Sequence, residues 1–286
     1  MTVQPPHEEE LPTARELELD EASAAPTTRV LPPPGNEPLA MLARRGFQAT
    51  VAPLDLPFPA DVRGARAEQL VERLGHYAFR LFLRGAILRQ GSFTPLEATR
   101  YLEPARATDF AEGLVAMDLA VREPEGRYRL RYPAASFGGT LEWYVAHELR
   151  VRFGFDVAAG VKFHAPDVGG DLDVVATAEG RLVYLEMKSS PPKHLAPDEV
   201  GAFFRRVRAL RPHLSIFVMD TALRLSDKVL PLLQAELGTQ PAPRRIQREI
   251  WALTPHLYVV NARQDLMSNI GVAVAEGFRA LAPPAP

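Results

Sequence analysis

Glu186-Met187-Lys188 closes one β-rich run of this chain, and Asp171-Leu172-Asp173 opens the run before it. Three carboxylates and an ammonium do chemistry only if the fold gathers them, and the residue spacing says that it does. Leu172 to Thr177 and Arg181 to Met187 are rich in β-branched and long apolar residues. Between them Ala178-Glu179-Gly180 supplies a turn, with glycine where positive φ is easiest. With Glu179 and Gly180 as the two loop residues, Asp173 faces Glu186 and Asp171 faces Lys188. Alternate residues of a strand share a face, so all four fall on one side of the sheet. Directly opposed Cβ atoms lie about 4.5–5.5 Å apart, where like charges repel. A divalent cation held by oxygen ligands reverses the sign of that interaction.

The neighbouring elements must hold this hairpin in place. Gly139 to Leu149 reads as a helix capped by Thr140, and Glu142 lies on it at helical spacing from Val145, Ala146 and Leu149. Its side chain therefore leans toward the apolar stripe, and a buried acid needs a partner. After the hairpin come a helix over about Pro197 to Leu210, an apolar strand at Leu214–Met219, another at Leu257–Asn261 and a final helix from about Asp265 to Leu281. Helices flanking hydrophobic strands make an α/β fold, a mixed sheet covered on both faces.

This order of residues and elements resembles the PD-(D/E)XK, or restriction-endonuclease-like, superfamily, on its Holliday-junction-resolvase and Mrr-like side. The resemblance spans Gly139 to Asp220: the helix with Glu142, a strand around Asp156 to Phe163, the hairpin with Asp173 and Glu186-x-Lys188, then helix and strand. It implies Asp173 and Glu186, together with Glu142 as the helix carboxylate, as catalytic ligands of Mg²⁺ or Mn²⁺, Lys188 as the catalytic lysine, and phosphodiester hydrolysis, in DNA first, as the reaction. Gly170 stands where the family name has proline, and the spacing favours Asp173 over Asp171 as the ligand. That leaves Asp171 to support the ligands from behind. The metal would polarise the scissile phosphate and lower the pKa of bound water. Lys188 would orient or deprotonate that water, and Ser189 with Ser190 would donate to a phosphate oxygen unless they only form the turn after the strand.

Each residue also has an ordinary structural reading. An E-x-K on an exposed strand is usually a solvated face, but Leu182-Val183-Tyr184-Leu185 ahead of it is apolar on both faces, which marks a buried strand. Glu142 competes with Glu148 on the same helix, and an acid near a helix start can simply favour the dipole. His147-Glu148 begins like a zinc-protease signature, but Val151 takes the place of the second histidine. No phosphate-binding loop, dinucleotide fingerprint or nucleophile elbow occurs, and the seven histidines are scattered without ligand spacing.

A chain of 286 residues, 47% of them hydrophobic, can build two domains. It has no cysteine, so disulfides and zinc–thiolate sites are excluded. With no signal peptide and no run long enough to span a membrane, the expectation is a cytoplasmic protein without a membrane partner. Residues 1–40 carry eight prolines, eight acids and two arginines, a charge of −6 that leaves +4 for the rest of a chain totalling −2. Residues 1–60 are accordingly expected to form an acidic, proline-rich tail without fixed structure, able to compete with a polyanion for a basic cleft.

Residues 65–133 read as a winged helix: a helix near Ala67 to Leu88, a second begun by Thr94-Pro95-Leu96-Glu97, a third over Thr108 to Leu119, and a hairpin wing from Val121 to Arg131. Arg127, Arg129 and Arg131 on the wing would touch phosphates. The third helix, where base readers would sit, carries Asp109, Glu112 and Asp118, so a scaffold or homodimerisation module competes with DNA binding there. In the nuclease-like domain, residues 137–282, Arg205 and Arg206 are further candidates for nucleic-acid contact. Two other functions stay open: a winged-helix DNA-binding or assembly protein that does not cut, and an RNase.

Overall fold

The computed structural model describes residues 36–282 except His164, Pro166, Asp167, Gly169 and 239–241. Residues 1–35 of the expected tail lie outside the described residues. Among those described, no helix is long and apolar enough to cross a membrane.

Eight strands form one mixed sheet. At its centre β5 (Asp156–Phe163), β6 (Asp171–Ala178) and β7 (Arg181–Lys188) are an antiparallel meander, and β8 (Leu214–Met219) and β11 (Leu257–Asn261) extend it as parallel neighbours. β1 (Ala49–Val51) closes one edge; β10 (Ile250–Thr254) and β9 (Arg244–Gln247) close the other. One face packs on α6 (Gly138–Phe153) and α9 (Leu266–Leu281), the other on α1 (Glu37–Arg44), α7 (Pro197–Leu210) and α8 (Val229–Leu237). Leu182, Val183, Tyr184 and Leu185 of β7 are fully buried and alternate between these two cores. A strand covered on both faces has no need of polar alternation, which is why this run is apolar throughout.

Part of the expected tail is built into the sheet. Asn36 caps α1, Leu39 and Leu42 of that helix join the core with β5 and β6, and β1 pairs with β5. Leu39 and Leu42 are a short i, i+3 stripe, a signal outweighed in the sequence by the proline and acid around it.

The small domain combines α2 (Gly64–Gly75), α3 (Tyr77–Leu88), α4 (Pro95–Ala98) and α5 (Pro104–Ala116) with a sheet in the order β2 (Ser92–Phe93), β4 (Arg127–Leu130), β3 (Ala120–Glu123). The single helix expected over Ala67 to Leu88 is two, because His76 between them is extended (φ −85°, ψ 119°). Arg80 makes the break tolerable: its Nη1 donates to the Leu74 and Gly75 carbonyls at 2.6 and 3.1 Å, groups that lose helical partners there. Thr94 and Glu97 form the expected capping box of α4. Gly85 lets α3 meet α4 closely, since a Cβ there would lie 1.6 Å from the Ala98 carbonyl oxygen.

Thr140 is not the cap of α6. The helix begins two residues earlier at Gly138, and Thr140 Oγ1 is buried without a partner. Gly139 lets this first turn pack against Asp55, whose backbone oxygen would be 2.7 Å from a Cβ.

Candidate active site

Glu179 and Gly180 both adopt left-handed φ, at 50° and 69°, and make the two-residue turn that the sequence calls for. The pairing then runs from Ala178 opposite Arg181 to Val174 opposite Leu185, the register inferred from the spacing. Beyond it, Asp173 turns its carboxylate into the ladder, with Oδ2 accepting the Met187 amide at 2.6 Å.

Strict alternation fails at this point. On β6, Leu172 packs in the α7 layer while Val174 and Ala176 pack in the α6 layer, and Val175 returns to the α7 layer, so the side-chain parity shifts beside Asp173. β5 shifts in step. Val157 and Ala159 belong to the α6 layer, Val161 and Phe163 to the α7 layer, and Gly160 between them has φ +61°. A Cβ on Gly160 would lie 2.7 Å from Leu54 and 3.2 Å from the Ala52 carbonyl, so only glycine turns the strand here. The expected single row of Asp171, Asp173, Glu186 and Lys188 is thereby broken. Asp171 is exposed and pairs across to Lys162, and its charge acts on Glu142 of α6.

Glu186 and Lys188 stay together on the α7 side. Lys188 Nζ lies 3.0 Å from Glu186 Oε1 and 3.1 Å from Glu199 Oε1 near the start of α7. Glu186, only 2% exposed, accepts at Oε2 from Arg206 Nη2 at 2.7 Å and from the Tyr184 hydroxyl. Arg206 is itself buried, and its Nε donates to the Tyr184 oxygen at 2.8 Å. This removes Arg206 from the candidate nucleic-acid contacts. Its position, three residues after Phe203 and four before Leu210, places it in the buried stripe of α7, which is the signal that distinguishes it from exposed Arg205.

The electrostatics show acids crowded beyond what the local cations relieve. Burial, then the charges of Glu186 and Asp171, push the Glu142 carboxyl up to about 7. Burial, Glu186 and Glu142 hold Asp173 well above the usual carboxylate range, against the pull of the Met187 amide and Lys188. For Lys188, burial works against the ammonium, but Glu186 and Glu199 outweigh it and its pKa is raised.

Among the described residues, no three Asp, Glu or His side chains converge as a ready-made metal cage. The donor set nevertheless suits one kind of ion. Mg²⁺ keeps several waters and is commonly held by one or two carboxylates plus substrate phosphate. Asp173 and Glu186 are hard oxygen donors, and mutual repulsion of acids is what a cation relieves. Thiolate- or imidazole-seeking metals find no matching donors in this cluster.

No family model matches the chain, and no curated protein does. Among solved structures, protein VC1899 from Vibrio cholerae matches with a TM-score of 0.52 at 15% identity, over 86% of this chain and 62% of that one. The two share a fold. Can2 from Sulfobacillus thermosulfidooxidans, solved in complex with cyclic tetra-adenylate, matches with a TM-score of 0.48 at 16% identity, over 84% of this chain and 59% of that one, and adds nothing to that statement. The chain thus spans about three fifths of the length of the structures it matches.

The wing arginines are all engaged locally. Arg127 lies 3.2 Å from Glu97 and donates to Ser92, Arg129 lies 2.7 Å from Glu123, and Arg131 lies 2.8 Å from Asp118. Exposed pairs of this kind contribute little to stability and can exchange for phosphate, but they lower the positive field that the sequence count implies. Ser189 follows β7 directly and is half-buried. Tyr184 and Glu199 were not among the residues singled out from sequence. The alternation Tyr184, Glu186, Lys188 along one strand face was a signal for the first; Glu199 becomes visible only when the start of α7 folds back over the end of β7.

Proposed function

We propose that this chain is a metal-dependent nuclease of the PD-(D/E)XK kind, hydrolysing phosphodiester bonds in DNA at Asp173, Glu186 and Lys188. The observation that carries the reading is the ion pair of half-buried Lys188 with buried Glu186 beside Asp173, whose carboxyl is raised by burial and then by its acidic neighbours. When bound, Mg²⁺ or Mn²⁺ polarises the phosphate and lowers the pKa of its water. Asp173 and Glu186 are the residues that would hold it. Glu186 and Glu199 keep Lys188 as an ammonium, so its part is to neutralise a phosphate oxygen and orient the attacking water rather than to take a proton. Glu142, with a pKa near neutrality, stands alongside as a carboxyl able to exchange a proton. Incubation with plasmid, linear and single-stranded DNA and with RNA, in Mg²⁺, Mn²⁺ or EDTA, tests this directly: metal-dependent breakage of DNA is expected. Binding without breakage in any metal would establish the second reading, a nucleic-acid-binding protein that does not cut, which the lack of a three-carboxylate cage among the described residues favours. Cleavage of RNA alone would make it an RNase.

Two expected results separate the carboxylates' cost to the fold from their use. Asp173→Asn should abolish Mn²⁺ binding in a calorimetric titration and raise the melting temperature of the metal-free protein, because the amide removes a charge that its surroundings oppose. Unchanged Mn²⁺ binding would take Asp173 out of the centre. Glu142 makes a pH-dependent case. Its folded pKa of about 7 exceeds the ordinary glutamate value of 4.5, so the stability it contributes is fully present below pH 4.5 and is lost as the pH rises through 7. Glu142→Gln in EDTA should match the wild type near pH 4 and exceed it at pH 8, by on the order of 2–3 kcal/mol. Parallel stability curves for the two proteins from pH 4 to 8 would contradict the raised pKa.

A further inference from the structure

We infer that Arg206 and Tyr184 are positioning residues that make Glu186 a one-oxygen ligand and so set which divalent ion the centre accepts; this rests on the reading of the centre given above. An ionised carboxylate offers about four acceptor sites, two on each oxygen. Both sites of Oε2 are taken, one by Arg206 Nη2 at 2.7 Å and one by the Tyr184 hydroxyl. Arg206 Nε donates into that same hydroxyl oxygen at 2.8 Å. Because the guanidinium can only donate, the hydroxyl hydrogen is left to point at Glu186. Among the described residues Oε1 carries Lys188 alone, at 3.0 Å, and keeps one site.

The arrangement is rigid. Tyr184, Glu186 and Arg206 are at most 7% exposed, and the fork of Arg206 is tied at two nitrogens. Gly170, just ahead of the strand that carries Asp173, abuts the same guanidinium, with a Cβ there only 3.1 Å from Arg206 Nη1. Stability alone does not call for a charge at this point: an apolar side chain between Phe203 and Leu210 would serve the α7 core as well, since buried ion pairs are often no better than packed hydrocarbon. What the fork does is occupy one oxygen fully and leave the open acceptor site on the other, beside Lys188. Mg²⁺ and Mn²⁺ accept single carboxylate oxygens in tight octahedra, whereas Ca²⁺ takes bidentate carboxylates in looser shells. A Glu186 clamped at Oε2 therefore favours the smaller ions.

Calorimetric titration of Mn²⁺ and Ca²⁺ into the wild type, Tyr184→Phe and Arg206→Lys tests this. Tyr184→Phe keeps the packing and every charge, and circular dichroism melts check both folds. Both variants are expected to bind Mn²⁺ about 10- to 100-fold more weakly, the usual effect of losing a hydrogen bond to a ligating group, while Ca²⁺ affinity holds or rises. The Mn²⁺/Ca²⁺ preference should fall at least about tenfold. Equal losses for both ions, unchanged affinities, or tighter Mn²⁺ binding in Arg206→Lys would overturn the inference and leave the metal centre standing. A wild type that binds neither ion would remove the centre itself, and the inference with it.

Discussion

Lys188→Met is expected to reduce DNA cleavage by about a thousandfold or more, ~4 kcal/mol of barrier, with the fold unaltered. The size follows from where the charge sits. An ammonium in a partly buried site acts on a developing phosphate charge at low effective dielectric, and single electrostatic donors in such sites are worth about 10²–10³ in rate; losing the orientation of the water adds to that. Methionine keeps the length and the apolar stem of lysine, so the β7 packing survives. Glu186 is not stranded either, because Arg206 and Tyr184 continue to hold Oε2. Substituting Glu186 instead would leave Lys188 and Arg206 as two buried cations with less counter-charge, and a loss of activity there would mix chemistry with unfolding. Single-turnover cleavage of plasmid DNA, with a melting curve on the same sample, decides the matter. Full activity in Lys188→Met would remove the E-x-K motif from the mechanism.

How far the sequence foretold this site depends on the range of the forces involved. The hairpin was legible because its determinants are local: a two-residue turn that needs positive φ, flanked by strands whose opposed positions then follow by counting. β8, β11, α7 and α9 were legible for the same reason, each being a periodic apolar run with its own boundary. The shift of side-chain parity at Asp173 was not, because it is imposed by Gly160 on the next strand pressing against Ala52 and Leu54, contacts that no local pattern encodes. Arg206 was misplaced through composition. Four arginines near one another, Arg205, Arg206, Arg208 and Arg211, suggest a solvated basic face, and only helical phase separates the buried member from the rest. The acids of the small domain tell a related story. Asp109, Glu112 and Asp118 read as a reason to doubt base reading by the third helix, and in the folded chain Glu112 and Asp118, with Glu97 and Glu123, also quench the wing arginines.

Asp220 anchors α3 to the end of β8, and Asp220→Ala is expected to cost on the order of 3–5 kcal/mol. It follows β8 directly and is fully buried. Arg80 Nε lies 3.0 Å from one carboxylate oxygen and Arg84 Nη2 2.6 Å from the other, both reaching from α3 of the small domain. Arg80 is 1% exposed and Arg84 only 14%, so alanine at 220 leaves two guanidinium groups in the interior without their anion. The hydrogen bonds are already incomplete, since Arg80 Nη2 and Arg84 Nε have no partner among the described residues. Removing the carboxylate therefore exposes a penalty that nothing nearby absorbs. For a chain of this size a loss of 1 kcal/mol lowers the melting temperature by about 2–4 °C, so a fall on the order of 10 °C is expected in calorimetry. Arg80→Ala should cost less, because Asp220 retains Arg84. The effect also reaches the candidate active site: the Asp220 amide donates to the Lys188 carbonyl at 2.9 Å, closing the end of β7. A melting temperature within a few degrees of the wild type would mean that water reaches and solvates the arginines, and that the continuous apolar core to which Leu74, Phe79, Leu83 and Tyr144 belong carries the packing without the ion pairs.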